Sequence, residues 1–218
     1  MPEKMTKREK RSIEKQRKMQ KLKKIGICIL IVCIVVSISI YAYMTKPETK
    51  TEKHNRTATI ETNMGTIKIK LYEDKAPITT ANFIELAESG FYDNLTIHRV
   101  AKDFVIQGGD PNGDGTGGSG KTISWEDTSL KNIKYSIAMA RSGNPDTVEG
   151  ANTSTSQFFI NLKDNPGLDS YTYPFVVFGH VISGTEVVDA IGALYPTDPP
   201  NDGPPTTDVI INTVTISE

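Results

Sequence analysis

A long apolar run near the N-terminus constrains this chain more than any other feature of its sequence. No side chain between Ile25 and Thr45 is charged, and the segment IGICILIVCIVVSISIYAYM is almost wholly apolar. Twenty such residues in a helix extend about 30 Å, which is the thickness of the hydrocarbon core of a bilayer. Tyr41 and Tyr43 stand at the far end of the run, where an interfacial aromatic belt would lie. The run therefore predicts a transmembrane signal anchor over 25–45.

Charge is distributed unequally on the two sides of this run. The 218 residues have a net charge of -1, but residues 1–24 have 11 Lys and Arg against 3 Glu, a net charge of +8. The rest of the chain has 14 Lys and Arg against 23 Asp and Glu, a net charge of -9. The basic flank predicts that 1–24 is a cytoplasmic tail and that the residues after the anchor are extracytoplasmic. We therefore expect a single-pass protein of the cell membrane, and the acidic body argues against nucleic-acid binding.

Other interpretations of the apolar run remain open. A cleaved signal peptide would have a shorter apolar region and an A-x-A-like site, and the best site, after Ala42, has Ile40 at its third position upstream. A lipoprotein site at Cys33 would require a small residue where Val32 stands. Residues 7–24 are either topology determinants, which we prefer, or a basic helix that binds the anionic inner leaflet.

The residues after the anchor are predicted to form a linker and one domain. Residues 46–56 are polar and predict a short linker, which leaves 57–218 as the domain. Both cysteines, Cys28 and Cys33, lie inside the apolar run. The domain therefore has no disulfide, no thiol nucleophile and no cysteine metal site. About 160 residues bury enough apolar area to be stable without disulfides.

Apolar periodicity in the domain predicts many short strands and two separated helices. Alternation over 57–62 and 66–72 around Asn63-Met64-Gly65 predicts a hairpin. Helical spacing predicts helices at 77–89 and 183–193, with Gly90 as the stop of the first and Thr185 as a possible N-cap of the second. Further strands are predicted at 95–100, 104–107, 137–140, 157–160, 175–181 and 209–216, and a proline-rich loop at 196–205. This order predicts a mainly β fold, a closed antiparallel barrel with helices that cap its ends.

The glycine-rich stretch 108–120 fits three ligand-binding patterns incompletely. Residues 115–122 fit a phosphate-binding loop, but no helical apolar face follows them. Residues 113–118 fit a dinucleotide fingerprint without the surrounding βαβ unit. The residues from Asp110 fit half of a calcium loop, with Lys121 where a bidentate Glu is needed. We expect a structural loop whose glycines allow tight turns and bind no nucleotide, with a weak calcium site as the alternative.

Five segments together form a specific pattern. They are IHR at 97–99, FVIQGGD at 104–110, MAR at 139–141, SQFF at 156–159 and VVFG at 176–179. In this order they resemble the cyclophilin family of peptidyl-prolyl cis-trans isomerases, and the resemblance spans about 57–218. It implies an eight-stranded antiparallel barrel with two helices, which agrees with the predicted elements.

The reaction that the resemblance implies needs neither a cofactor nor a metal. The barrier to rotation of an X-Pro amide, near ~18–20 kcal/mol, arises from resonance between the nitrogen lone pair and the carbonyl. A rate of about 10³ s⁻¹ requires a barrier near ~13 kcal/mol, so the protein must lower it by roughly 5–7 kcal/mol. No covalent intermediate is needed, because no bond is made or broken. An apolar pocket for the proline ring, a hydrogen-bond donor and a groove for the flanking peptide are sufficient.

The resemblance assigns roles to residues of this chain. Arg99 is implied as the donor to the twisted amide, Gln107 as the residue that orients Arg99, and Phe104 as the third member of the catalytic set. The implied substrate-binding residues are His98, Val105, Ala140, Arg141, Gln157, Phe159, Leu168 and Phe175. His98 is expected to have a structural or groove role, since the reaction needs no proton transfer.

The chain departs from the family pattern at three places. Gly167 stands where many members have a tryptophan, which puts cyclosporin binding in question. The segment 170–175 offers Phe175 or Tyr173 where a pocket histidine often stands, which should weaken isomerisation without abolishing it. The segment 141–156 is longer than the common form and has an arginine in place of a groove asparagine, so we expect a different choice of substrate.

The sequence thus predicts a surface-tethered, monomeric prolyl isomerase that acts on proline-containing segments of exported proteins. A non-catalytic module or holdase that grips the same segments is the alternative. Nucleotide hydrolysis at the glycine-rich stretch is a third, which would require ATP binding that we do not expect.

Overall fold

The computed structural model describes residues 55–198 and 200–218, together with Met19 and Val36. The predicted tail and anchor, apart from those two residues, and the predicted linker up to residue 54 lie outside the described residues. No helix among the residues described has both the length and the apolar character to cross a membrane. The chain divides into two units, Met1–Thr51 and Glu52–Glu218, and the fold below is that of the second.

The nine strands found in the described part of this unit form one antiparallel sheet. Their spatial order is β8-β3-β4-β6-β5-β7-β2-β1-β9, in the numbering given next. They are β1 (Thr57–Thr62), β2 (Gly65–Leu71), β3 (Thr96–Ala101), β4 (Val105–Asp110), β5 (Ser136–Met139), β6 (Phe158–Asn161), β7 (Val177–Ser183), β8 (Asp202–Gly203) and β9 (Ile211–Ser217). The strand order places β3, β4, β6 and β5 side by side, which determines where the site lies.

The hairpin at the start of the domain follows from its alternating sequence. In β2, Ile67, Ile69 and Leu71 are buried while Lys68 and Lys70 between them are exposed, as expected for a strand with one face on the core. β1 pairs with β2 in register from Thr57 to Thr62. The predicted hairpin is therefore confirmed.

The helices are α1 (Pro77–Glu88), α2 (Val148–Ala151) and α3 (Thr185–Gly192), with a 3-10 turn at Pro166–Asp169. Proline at the first position of α1 suits the helix start, and the carboxylate of Glu126 accepts the N–H groups of Ile78 and Thr79 at 3.1 and 2.7 Å. The N-cap of α3 is Gly184, at φ 84°, so the predicted Thr185 cap is wrong. The carbonyl of Thr66 would lie 2.2 Å from any Cβ at Gly184, which explains the glycine.

Strand β3 and the residues just before β9 approach each other without a full ladder. Thr96 in β3 forms an isolated antiparallel bridge with Ile210, just before β9, and the N–H of Ile97 donates to the carbonyl of Val209 at 2.9 Å. A mainly β fold with a curled antiparallel sheet and few helices is confirmed. The closed eight-stranded barrel is not confirmed, because this edge has one bridge and the short β8 adds a strand beside β3.

Two apolar clusters lie on the sheet. The larger contains an aromatic centre, in which Phe83 of α1 contacts Tyr92, Phe158 and Phe178 with ring centroids 5.1 to 5.8 Å apart. The smaller is centred on Val105 and Phe159, and partly exposed apolar side chains cover it. The larger cluster is the core of the fold, and the smaller is the floor of the site described next.

Candidate active site

Strand register brings together Arg99 and Gln107, two of the predicted catalytic residues, and Phe159, a predicted substrate-binding residue. Arg99 in β3 lies opposite Gln107 in β4, and Gln107 lies opposite Phe159 in β6. Phe159 in turn lies opposite Ala138 in β5. Side chains directly opposite on antiparallel strands are close neighbours. Arg99, Gln107 and Phe159 thus form one row across the sheet, although they come from three different strands.

This row borders a cavity of about 230 Å³. Nine side chains line it, and the sequence predicted each of them as a site residue: Arg99, Phe104, Val105, Gln107, Ala140, Arg141, Phe159, Leu168 and Phe175. Apolar side chains make most of this lining, and two arginines and a glutamine make the rest. The cavity can therefore hold a small apolar ring beside a cationic hydrogen-bond donor.

The apolar floor of the cavity is well buried. Val105 and Phe159 are 2% and 4% exposed. Phe159 contacts Phe175 edge-on, with ring centroids 5.8 Å apart, and the N–H of Phe175 donates to the carbonyl of Leu168 at 3.2 Å. Phe175 thus closes the side of the cavity at which the sequence placed either it or Tyr173.

A chain of hydrogen bonds fixes the polar side of the cavity. Nη1 of Arg99 donates to Oε1 of Gln107 at 2.9 Å, and Nε2 of Gln107 donates to Oε1 of Gln157 at 2.8 Å. Nε2 of Gln157 donates to the carbonyls of Gly115 and Gly117 at 3.0 and 2.7 Å. The chain anchors the three side chains to the backbone of the glycine-rich loop. Gln157 lies outside the first cavity and reaches it through Gln107.

One acidic residue of the site was missed by the sequence analysis. The Asp202 carboxylate accepts hydrogen bonds from Nε and Nη2 of Arg99, both at 2.6 Å. Asp202 lies in β8, inside the segment predicted only as a proline-rich loop. A lone aspartate between prolines belongs to no motif, and its partner lies 103 positions away. Only the pairing of β8 with β3 reveals the contact.

Arg141 lines both the first cavity and a second one. Its Nη2 donates to the carbonyl of Tyr173, and its guanidinium carbon lies 4.4 Å from the centre of the Phe175 ring. Burial lowers the pKa of Arg141, and its buried Nε has no hydrogen-bond partner among the described residues. The second cavity, of about 400 Å³, lies between the glycine-rich loop and the long segment 141–156.

The structure does not bring His98 into either cavity. This side chain is 7% exposed, and neither ring nitrogen has a hydrogen-bond partner in the described part of the chain. Burial lowers its pKa. Of the two roles expected for His98, its burial fits a structural one and does not fit contact with a peptide.

The glycine-rich stretch forms a loop around one buried carboxylate. Asp110 accepts the N–H groups of Asn112, Asp114 and Gly115 at 2.9, 3.1 and 2.6 Å. No helix follows Lys121, as a phosphate-binding loop would require. Within the described residues, no group of three or more His, Cys, Asp or Glu is placed to hold a metal ion. The carboxylate that would start a calcium loop is instead used to shape the backbone.

Residues 57–216 match the family model described as cyclophilin type peptidyl-prolyl cis-trans isomerase/CLD. A peptidyl-prolyl cis-trans isomerase of Arabidopsis thaliana is 40% identical over 141 residues, 62% of this chain and 80% of that protein. A peptidyl-prolyl cis-trans isomerase-like 1 protein of Neurospora crassa is 41% identical over 144 residues, 64% of this chain and 82% of that protein.

Solved structures agree with these matches. A crystal structure of a cyclophilin type peptidyl-prolyl cis-trans isomerase of Cryptosporidium parvum superposes with a TM-score of 0.64 at 31% identity, over 76% of this chain and 99% of that one. A crystal structure of that protein in the presence of the dipeptide Ala-Pro gives a TM-score of 0.62 at 31% identity, over 74% and 99%.

Proposed function

Since the chain belongs to the cyclophilin-type peptidyl-prolyl cis-trans isomerase family, we propose that it accelerates rotation of X-Pro bonds in exported or surface proteins through Arg99 and the apolar cavity. The observation that carries this proposal is the position of the Arg99 guanidinium at the wall of a cavity floored by Val105 and Phe159. Such a cavity can hold a proline ring by apolar contacts, and the guanidinium can donate a hydrogen bond to the prolyl nitrogen.

The proposed mechanism is preferential binding of the twisted amide. In the planar amide the prolyl nitrogen shares its lone pair with the carbonyl, and in the twisted amide that lone pair can accept a hydrogen bond. A donor N–H of Arg99 binds the nitrogen only in the twisted state, so the bond lowers the barrier rather than the ground state. A charged hydrogen bond contributes about 1.5–3 kcal/mol, which is part of the roughly 5–7 kcal/mol required. Positioning of the ring against Phe104 and Phe159 supplies the remainder.

Recognition of proline-containing segments is supported by the related structure studied in the presence of Ala-Pro. The cavity of about 230 Å³ in this chain has an apolar floor of the kind that a pyrrolidine ring requires. The proposed substrate is therefore an exposed X-Pro segment, bound by a monomer without nucleotide, metal or other cofactor. Gly167, in place of the tryptophan of many family members, still puts cyclosporin binding in question.

The proposed location is the outer face of the cell membrane. Its support is the uncharged run over 25–45 and the net charge of +8 that precedes it. In that location the enzyme would meet proteins that fold after export, when their X-Pro bonds are still isomerising slowly.

Substitution of Arg99 tests the mechanism. We expect Arg99→Ala in the full-length chain to lower kcat/KM for an X-Pro peptide about 100-fold, because one preorganised donor is lost. Lys102→Ala is the matched control, since Lys102 is a nearby cation that does not line the cavity. Equal activity of wild type and Arg99→Ala would refute the proposed role of Arg99.

A further inference from the structure

Arg99 is held by an acidic partner on a separate strand. We propose that Asp202 is a positioning residue, which fixes the guanidinium plane of Arg99 at the cavity and thereby sets the rate of isomerisation. This inference rests on the proposed function, since it assigns the role of a second residue at the same site. Asp202 itself does not line the cavity.

Some N–H groups of the Arg99 guanidinium bond to protein side chains, and the others remain for a substrate. Asp202 accepts from Nε and Nη2 at 2.6 Å each, in the bidentate arrangement that fixes both the position and the plane of the group. Gln107 accepts from Nη1 at 2.9 Å. An arginine has five N–H groups, so two of those of Arg99 have no partner among the residues that the structure describes. Asp202 leaves these two available at the cavity.

The backbone brings Asp202 within reach of Arg99 through the short strand β8. Ala101 and Val100 of β3 pair with Asp202 and Gly203. The N–H of Lys102 donates to the carbonyl of Asn201 at 3.0 Å. Asn201 adopts a left-handed φ of 59°, which asparagine tolerates better than most residues. The strand that bears the catalytic arginine thus also holds the segment that bears its carboxylate partner.

The exposure of the pair favours a role in positioning over a role in stability. The side chains of Arg99 and Asp202 are 34% and 32% exposed. Ion pairs open to solvent contribute little to folding, because water screens the attraction and two flexible side chains must be ordered. Ordering of Arg99 is, however, what a donor to a transition state requires, because a misplaced donor loses most of its effect.

A carboxylate beside a catalytic cation could instead reduce its effect. Asp202 partly offsets the positive charge that Arg99 offers to the prolyl nitrogen. Asp202 contacts the guanidinium on the edge that carries Nε and Nη2. Solvent around the pair weakens the electrostatic field of Asp202 at the cavity. The benefit of an oriented Arg99 guanidinium therefore outweighs the partial loss of its positive charge. Removal of Asp202 thus lowers the rate of isomerisation.

The test compares five variants of the full-length chain with the wild type, and one of the five is Arg99→Ala. Exchange NMR on an X-Pro peptide measures the rate of interconversion on the protein separately from the dissociation constant of the peptide. We expect Asp202→Asn to lower the rate about tenfold, because the donor is misplaced, and to change the dissociation constant less than about twofold. Asp202→Glu, which keeps the carboxylate, should recover part of the rate. Asp198→Asn is the matched control, because Asp198 is exposed in the same loop and makes no ion pair with a described residue.

The double variant separates action through Arg99 from general damage. In an Arg99→Ala background, Asp202→Asn should have no further effect on the rate, since there is no guanidinium left to position. A thermal midpoint close to that of the wild type shows that each variant is folded.

Three results would overturn the inference. These are a wild-type rate in Asp202→Asn, a higher rate in Asp202→Asn, or an equal loss with and without Arg99. If Arg99→Ala lowers the rate and Asp202→Asn does not, only the inference fails. An unaltered rate in Arg99→Ala contradicts both the inference and the proposed mechanism.

Discussion

Two histidines make the stability of the domain sensitive to acid. Burial lowers the pKa of His98 and of His180 below their ordinary value of 6.5. As the pH falls through about 6.5, the unfolded chain therefore binds protons before the folded chain does, and the free energy of unfolding decreases. The stability due to the neutral histidines is complete above this pH and is lost below it.

The His98 part of this effect can be isolated by substitution. His98→Phe removes a titrating ring whose nitrogens make no hydrogen bond with a described residue, so no such bond is lost. We expect the free energy of unfolding in urea to fall less between pH 7.5 and pH 5.5 in His98→Phe than in the wild type. Only the change of the free energy of unfolding with pH is compared. A difference in packing between His98→Phe and the wild type that is the same at both pH values therefore cancels. Equal slopes in the two proteins would contradict the account of His98.

At the scale of elements, two glycines of the stretch 108–120 differ in how costly their replacement should be: Gly109, at the end of β4, and Gly115, in the loop after it. Gly109 and Gly115 have positive φ values of 83° and 89°. A Cβ on Gly109 would lie 2.5 Å from the carbonyl oxygen of Ser156, which precedes β6. A Cβ on Gly115 would meet no atom within 4 Å. Backbone conformation alone constrains the second glycine, while close approach to the neighbouring strand also constrains the first.

This difference between Gly109 and Gly115 predicts that their alanine variants lose unequal amounts of stability. Gly115→Ala should lower the free energy of unfolding by about 1 kcal/mol, the cost of a left-handed conformation. Gly109→Ala should lower it by about 3 kcal/mol or more, because the Ser156 backbone must also move. Urea unfolding of both variants measures the difference. Similar losses in the two variants would show that the approach of β4 to Ser156 is not tight.

The elements that the sequence predicted well have their own periodic pattern. The hairpin of β1 and β2 and the helix α1 were predicted to within one residue, because alternation and helical spacing are local signals. The strand β8 and the short helix α2 were missed. β8 has two residues and lies at the edge of the sheet beside β3, and α2 has four residues, so neither is long enough to show a period.

The difference between local sequence signals and long-range pairing also explains which site residues were predicted. The nine cavity residues were named from the family resemblance, which indicates a site without deriving its geometry. Asp202 belongs to none of those motifs and is placed by strand pairing across 103 positions. His98 stands inside a motif and yet lies in the interior. Motifs thus identified residue types, while long-range pairing determined which side chains meet.

For the whole molecule, the net charge of -1 is the sum of a basic tail and an acidic remainder. We expect full-length protein in bacterial cells to be found with the membrane and its C-terminus to be cut by protease added outside intact cells. The double substitution Ile34→Arg and Val35→Arg is the control, since each arginine at the centre of a span costs about 2.5–3.5 kcal/mol. This variant should leave the membrane fraction. A wild-type C-terminus protected from external protease would contradict the proposed topology.

The central claim, catalysis at the Arg99 cavity, is tested most directly by exchange NMR on an X-Pro peptide with a small molar fraction of the full-length protein. Uncatalysed X-Pro isomerisation takes tens to hundreds of seconds, so cross-peaks between cis and trans signals are absent at mixing times below about one second. We predict that such cross-peaks appear and that the exchange rate rises in proportion to protein concentration. Peptide binding, seen as shifted signals, without accelerated exchange would contradict the claim and identify the domain as a non-catalytic module that grips proline-containing segments.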